Sequence, residues 1–347
     1  MKRKRKMDMK VDMKMDMDVK KYESYLSVMD TQIAIKCIKD FFEKKLSEKL
    51  DLVRVSSPLF VLPESGTNDN LDGIQKAVDF YIPGVGKRAE IVQSLAKWKR
   101  MALKRYGFPE GKGLYTDMNA IRKDETLDNI HSNYVDQWDW EYVIGKEQRN
   151  EQTLMRFAED IYSVFLSTAD YVKKLYPCLG LDMPSEIFMI TTEELEDMYP
   201  DMTPEEREYA IVKERKAVFL MKIGDYLKSG IKHGDRSPDY DDWQLNGDII
   251  FYDEVLDCAL ELSSMGIRVD GVALKKQLAV CNCEERCELE YHRQLLQGDL
   301  PYTIGGGIGQ SRICMFLLKK AHIGEVQSTV WPEHIINSCI NMNITLL

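Results

Sequence analysis

The run from Thr303 to Arg312, TIGGGIGQSR, constrains this chain more than any other stretch, because four of five consecutive positions are glycine. Glycine loses more backbone freedom on folding than any other residue and packs no side chain. Either the run is a flexible loop, or something approaches the backbone so closely that a Cβ would be in the way. The dinucleotide fingerprint fails, since counting from Gly305 puts Gln310 where the last glycine belongs; the P-loop fails for want of a following lysine. What remains is Gly305-x-Gly307-x-Gly309, the period of a strand. It runs into the apolar SRICMFLLKK, which predicts a buried helix with Lys319 and Lys320 at its C-terminus. A glycine strand entering a helix that opens with Arg312 is a plausible floor for a flat, anionic ligand. Gly305, Gly306, Gly307 and Gly309 would leave the backbone bare, and Arg312 would stack on a ring or reach phosphates.

The rest of the pattern predicts the sheet that holds such a strand. Residues 31–50 predict an amphipathic helix with Ile33, Cys37, Phe41 and Leu46 along one stripe. DLVRVSSPLFV follows, a strand that Pro58 confines to an edge or ends. SNYVDQWDWEYVI, EIFMITTEEL and KAVFLMKI predict further strands, and residues 146–176 the longest helix. Thr203, Pro204 and Glu206 form a helix-starting capping box. NGDIIFYDEVLDCALELSSMGI predicts a long hairpin, and two helices, near 270–280 and 284–297, lead to the glycine strand. Strands in runs, without strict β-α alternation, predict an α+β fold with an antiparallel β-sheet flanked by helices. Residues 1–21, rich in Met, Lys and Asp, can bury no face at either period and predict a disordered tail; 22–347 would form one domain.

A net charge of −10 argues against a protein whose main task is to hold nucleic acid, since that rests on excess lysine and arginine. No apolar run approaches the roughly 18 residues of a membrane span. The eight cysteines are scattered with no secretory segment before them, which predicts reduced thiols in a cytoplasmic protein. Cys281, Cys283, Cys287 and His292 cluster in CNCEERCELEYH, but no Cys-x2–4-Cys pair opens the run as zinc sites require. A thiol-rich, partly exposed helix is the simpler reading.

Three constellations carry chemistry. A hairpin turning between Glu254 and Val255 would set Asp248 opposite Glu261, Ile250 opposite Ala259 and Tyr252 opposite Asp257. Opposed carboxylates repel across a ladder but become tolerable around a divalent cation, and hard oxygen ligands are what magnesium takes. The alternatives are a carboxylate turned to solvent or a different register. Arg122, in NAIRKDE, offers the planar fork that grips phosphate. The third is the glycine strand with Arg312. Together they converge on ATP with Mg2+ on an antiparallel sheet.

In order, LVRVSSP, AIRKDE…VDQWDWE and GGGIGQSR resemble the three motifs of class II aminoacyl-tRNA synthetases. Over about residues 24–347 the chain resembles one relative of that fold, the aspartate–ammonia ligases, or ammonia-dependent asparagine synthetases. The resemblance is carried by QSLAKWKR, GLYTDMNAIR, VDQWDWE, PDYDDW, LNGD, ELSSMGIRVD and TIGGGIGQSR. It implies that ATP and the β-carboxylate of L-aspartate give β-aspartyl-AMP and pyrophosphate, after which ammonia displaces AMP to give L-asparagine. It places Arg122 on the α-phosphate, Arg312 on the adenine or γ-phosphate, and Asp248 and Glu261 on the magnesium. The aspartate pocket falls on Asp69, Ser94, Lys99, Gln137, Asp139, Asp241, Ser264 and Arg268, with Arg268 for the α-carboxylate and Asp69 or Asp139 for the α-ammonium. Arg122, Arg312, Lys99 and Asp69 are the implied catalytic set, and a homodimer built on the first motif is implied as well.

The sequence departs from that pattern in places. The tail has no counterpart, the loop between DYDDW and LNGD is short, Asn68 and Gln93 stand where related chains often carry Gln and His, and the clustered cysteines are additional. The rivals are an aspartyl- or asparaginyl-tRNA synthetase, which would carry an anticodon-binding barrel ahead of the catalytic domain, and an inactive paralogue acting as a binding module, which would have lost the phosphate arginines. Glutamine-using synthetases need an N-terminal cysteine, whereas Lys2 follows Met1, so free ammonia is the expected nitrogen donor.

Overall fold

The computed structural model describes residues 22–69 and 75–347; the low-complexity start and residues 70–74 of the GTNDNLDGI segment lie outside them. Helix α1 (Val28–Leu50) leads through β1 (Leu52–Arg54) to a small sheet of β2 (Phe60–Val61), β3 (Asp79–Ile82) and β4 (Lys87–Ile91). Helix α2 (Ala96–Tyr106) precedes the hairpin of β5 (Gly113–Ile121) and β6 (Tyr134–Val143). Then come α3 (Glu151–Leu175), β7 (Phe188–Thr191), α4 (Thr192–Met198), α5 (Pro204–Arg215) and β8 (Ala217–Met221). A second hairpin, β9 (Asp241–Asp253) and β10 (Cys258–Arg268), is followed by α6 (Gly271–Val280), α7 (Glu290–Leu296), β11 (Thr303–Gly309), α8 (Gln310–Leu317) and α9 (Glu333–Asn341).

Eight strands form one sheet in the order β1-β5-β6-β11-β10-β9-β8-β7. The six inner strands pair antiparallel, as expected, but a parallel strand closes each edge: β1 beside β5 and β7 beside β8. Strand β1 is short and ends before Pro58, at an edge, where a missing ladder donor does no harm. The second expected helix after β10 divides into a 3-10 turn over Glu284–Glu288 and then α7.

The sheet is two-faced because side chains alternate along each strand. On β6, Trp138 and Trp140 are fully buried. Trp138 stacks on Phe42 of α1, ring centroids 4.9 Å apart, and Trp140 on Phe157 of α3 at 5.7 Å. Each such burial contributes about 1.5–3 kcal/mol or more. Helices α1 and α3 thus cover one face, and Gln137, Asp139 and Glu141 are left on the other. The buried row of α1 is Ala34, Ile38, Phe42 and Leu46, not Ile33, Cys37 and Phe41. Both rows are apolar at helical spacing. Packing chose the row aimed at Trp138, while Phe41 lies flat on Tyr171 of α3 at 4.3 Å and Ile33 stays half exposed. The Thr203 box forms as expected: Glu206 Oε2 accepts from Thr203 N at 2.8 Å and Thr203 Oγ1 from Glu206 N at 3.3 Å.

One cluster ties Tyr22 and residues 321–325 to the loop between β5 and β6. Tyr22 donates its hydroxyl to Glu325, which also accepts from the backbone of Ala321 and His322. Asn129 donates to Ala321 O at 2.9 Å. His322 is 1% exposed and its Nδ1 accepts from Gly324 N at 3.0 Å, so burial lowers its pKa from 6.5 to about 4. The folded value lies below the unfolded one, so the stabilisation is complete above pH 6.5 and is lost as pH falls towards 4. Denaturant titrations from pH 4 to 7 should lose about 3 kcal/mol more in the native protein than in His322→Gln, whose amide oxygen accepts without titrating. Parallel pH curves for the two proteins would refute the assignment.

Candidate active site

The bare face of the sheet opens into a cavity of about 430 Å³. The expected site residues line it, with two exceptions, Gly305 and Asp248. Its floor follows from two matching alternations. Strand β11 pairs with β6 so that Gly309, Gly307 and Gly305 stand opposite Gln137, Asp139 and Glu141. Each of these three β6 side chains therefore has a neighbour without one.

The glycines do different work. A Cβ on Gly307 would meet Gln137 Oε1 at 2.5 Å, whereas one on Gly309 would meet nothing closer than Arg312 Cβ at 3.4 Å. Gly306 faces the core, where a Cβ would lie 2.5 Å from Ser264 O, and its carbonyl accepts from Lys99 Nζ at 2.8 Å. Gly305 departs from the expectation: its clearance is not open to the cavity but filled. A Cβ there would fall 2.0 Å from Glu141 Oε2 and 2.6 Å from Arg268 Nη2.

That filled space is the anchor of one end of the site. Arg268, at the end of β10 and 2% exposed, donates to Glu141 Oε2 through Nη2 at 2.7 Å and to Oε1 through Nε at 3.0 Å. Its Nη1 pairs with Asp241. Thr303 also donates to Glu141, at 2.7 Å. Burial pushes the Glu141 carboxyl up, but Arg268 outweighs it and the net shift is downward. Lys99, reaching up from α2, is fully buried and pairs with Asp139; burial holds its ammonium below the ordinary lysine range against the pull of Asp139. Asp139 keeps Oδ2 buried without a hydrogen-bond partner among the described residues, and so does Gln93 its Nε2. Unmet buried polar atoms lining a cavity mark where a ligand's own groups belong. Ser94 Oγ accepts from Ala96 N at 3.2 Å, at the start of α2.

The other end is cationic. Arg122 follows β5 directly, its backbone N–H bonded to Asn133 O at 2.9 Å, and its Nε is buried without a partner among the described residues. Arg312 stands in the first turn of α8 and donates to Glu261 O at 2.9 Å.

The hairpin register differs from the expectation. Asp253 Oδ1 caps a turn over Glu254–Asp257, accepting from Val255 N at 2.8 Å and Leu256 N at 3.0 Å. The ladder starts at Asp253 opposite Cys258, and a bulge at Leu262 shifts it again. Glu261 therefore stands opposite Ile250 and Asp248 opposite Ser264; Ala259 pairs with Tyr252. The two carboxylates still interact, since burial first and Glu261 next push the Asp248 carboxyl up to about 6 against the pull of Arg236. Arg236 Nη2 donates to Asp248 at 2.7 Å, which explains why Asp248 is withdrawn from the cavity while Glu261 lines it. Glu261, lining the cationic pocket, fits magnesium carried in by a triphosphate, which completes the ion's shell with phosphate and water, and Asp248 would join it on release from Arg236. Among the described residues no group of three or more His, Cys, Asp or Glu side chains could hold an ion alone.

Three participants escaped the sequence reading. Glu141 lies in the quoted VDQWDWE, and its two-residue spacing from Asp139 was a usable signal. Arg236, beside PDYDDW, and Ser237 line the cavity with no pattern to mark them.

The fold defines the class: that of the class II aminoacyl-tRNA synthetases. Among solved structures the chain superposes on asparaginyl-tRNA synthetase from Pyrococcus horikoshii complexed with asparaginyl-adenylate, with a TM-score of 0.63 and 14% identity over 87% of this chain and 70% of that one. Aspartyl-tRNA synthetase from Entamoeba histolytica gives 0.58 at 17% identity, covering 86% of this chain and 58% of that one. The family model for aspartate-ammonia ligase matches residues 29–343. Aspartate–ammonia ligases of Ruminiclostridium cellulolyticum and Clostridium tetani are each 59% identical over 94% of this chain, covering 97% and 96% of their own lengths. The chain belongs to the aspartate–ammonia ligase family, and it is a ligase.

Proposed function

We propose that the protein makes L-asparagine from L-aspartate, ammonia and ATP through β-aspartyl-AMP, releasing AMP and pyrophosphate. One observation carries this reading: an amino-acid-sized cluster of paired charges and a pair of phosphate-seeking arginines share one cavity across a floor of glycines. A carboxylate resists amines because its charge repels them and oxide is a hopeless leaving group. Adenylation removes the charge and supplies a phosphate as leaving group.

Each end has its part. Arg268, fixed by Glu141 and Asp241, would take the α-carboxylate of aspartate, and Asp69 and Asp139 its α-ammonium. Gln137, Ser94 and Ser264 would complete that pocket. The β-carboxylate is then left at the glycine strand, where it attacks the α-phosphorus and the bond to pyrophosphate breaks. Arg122 would hold the α-phosphate, where charge develops; such preorganised donors are commonly the largest catalytic term. Arg312 would lie against the adenine or the γ-phosphate. Asp248 and Glu261 would hold Mg2+, which supplies positive charge to the phosphates. In the second half, the ammonia lone pair attacks the activated carbonyl, the C–O bond to AMP breaks with its electron pair leaving on AMP, and one proton passes from the new nitrogen to solvent.

The reading carries with it a cytoplasmic enzyme without nucleic-acid or membrane partners, and a homodimer built on α1, where Val28, Met29 and Ile33 are 48–69% exposed. The test mixes the protein with aspartate, ATP, magnesium and ammonium. It expects asparagine, AMP and pyrophosphate in equal amounts. ADP with orthophosphate, or aspartate delivered only to tRNA, would overturn it.

A further inference from the structure

The thiol-rich segment turns Arg286 and His292 inward while Glu284, Glu285, Glu288 and Glu290 stay exposed. Cys283 packs with Leu278, Tyr291 and Leu295, and Cys281 and Cys287 lie against them. This packing directs Arg286 and His292 at Asp239, a carboxylate with no exposure. Asp239 Oδ2 accepts from Lys97 Nζ at 3.0 Å and Arg286 Nη1 at 3.1 Å, and His292 Nε2 lies 3.0 Å away. Burial pushes the Asp239 carboxyl up, but Lys97, His292 and Arg286 outweigh it and hold it well below the usual range. Its other oxygen lies 3.0 Å from Ser237 Oγ, and the same hydroxyl lies 3.0 Å from Asp69 Oδ1.

A second contact reaches the same place. Gly66 begins the approach to Asp69 in the left-handed region, at φ 67°, and a Cβ there would lie 2.7 Å from Leu289 Cβ and 3.3 Å from His292 Nδ1. The loop bearing Asp69 therefore rests on the segment that clamps Asp239. Asn68 braces it from the other side, accepting from Asp69 N at 3.0 Å and Gln93 N at 2.8 Å.

We propose that Asp239 is a positioning residue for amino-acid binding: held by Lys97, Arg286 and His292, it fixes through Ser237 the carboxylate of Asp69 that receives the α-ammonium. The proposal rests on the reading of this end as the aspartate pocket. A hydroxyl carries one proton, so Ser237, 3.0 Å from each carboxylate, donates to one of them at a time and ties the direction of Asp69 to the fixed position of Asp239. Without that link Asp69, whose carboxyl burial already pushes up, loses its fixed direction, and orientation is what a binding site supplies in advance. At the ATP end Arg122 makes none of these hydrogen bonds among the described residues and acts on Asp69 only through its charge, which pulls that carboxyl's pKa down.

The decisive variant is Ser237→Ala, which preserves every buried charge. It should raise KM for aspartate about tenfold, the scale of one hydrogen bond to a charged group, with KM for ATP and the melting midpoint near native values. Asp239→Asn should raise KM for aspartate further; it removes the counter-charge of Lys97 and Arg286, so if it does not fold, Ser237→Ala still decides. Unchanged KM for aspartate in Ser237→Ala, or equal rises for aspartate and ATP, overturns the proposal. The native enzyme in the same assay separates the two claims. If it forms asparagine and AMP while Ser237→Ala matches it, only the positioning role falls; if it forms neither, both fall.

Discussion

Replacing Arg122 with alanine should suppress the aspartate-dependent exchange of pyrophosphate into ATP by about 10²–10³-fold while leaving the protein folded. The two halves of that expectation have separate grounds. Arg122 makes no ion pair and no side-chain hydrogen bond among the described residues, and its Nε is buried without a partner. The sheet fixes its backbone through the bond from its N–H to Asn133 O. Deleting the side chain thus removes no hydrogen bond or ion pair among the described residues, only a charge that pulls the buried Asp69 carboxyl down, and it relieves an unmet donor. Its value must come from a ligand absent in the free protein. In the proposed reaction that ligand is the α-phosphate, whose charge grows as pyrophosphate departs. Exchange isolates this first step, because it needs aspartate and ATP but no ammonia. Near-native exchange by Arg122→Ala would take the residue out of the site, whatever happened to overall asparagine formation.

The legible part of this chain was the part written at short range. The Gly305-x-Gly307-x-Gly309 alternation survives as a strand because period two is a property of the backbone itself. Pro58 closes an edge and Thr203 starts a helix for equally local reasons. The hairpin was found but not its register. Two displacements, the capped four-residue turn and the bulge at Leu262, occur in a run whose residues suit a strand in any register. The buried row of α1 was missed by one residue because adjacent rows are both apolar, and only Trp138 on a distant strand decides between them. Arg236 was invisible, and Asp239, though inside the quoted PDYDDW, was given no role, for a similar reason. Buried charges acquire meaning from partners that the fold brings from elsewhere, such as Lys97 and His292 for Asp239. The glycine run was read correctly as a strand, but the reading gave all its glycines one purpose and missed that Gly305 clears space for the Glu141–Arg268 pair.

Gly305→Ala and Gly309→Ala separate those purposes. Both substitutions add one carbon to the same face of β11. At Gly305 that carbon would fall on Glu141 Oε2 and against Arg268 Nη2. Neither side chain can step aside cheaply: Arg268 is held by Glu141 and Asp241, and Glu141 by Arg268 and Thr303. The relief available is to swing Glu141 away, which leaves Arg268 turned from its bound direction. A displacement of about 1 Å in a positioning group can cost about 10²-fold in rate. Gly305→Ala should therefore lower kcat/KM for aspartate by about 10²-fold, with a lower melting midpoint because a buried ion pair is disturbed. At Gly309 the nearest atoms are those of the Arg312 side chain, at ordinary contact distance, so the free protein should tolerate alanine. If a purine lies on this strand, however, the added methyl stands in its plane of contact. Gly309→Ala should raise KM for ATP and spare KM for aspartate, the reverse of Gly305→Ala. Steady-state titrations of each substrate against both variants read the contrast directly. Should both glycines affect the same substrate, the division of the strand into an ion-pair clearance and a nucleotide floor is wrong.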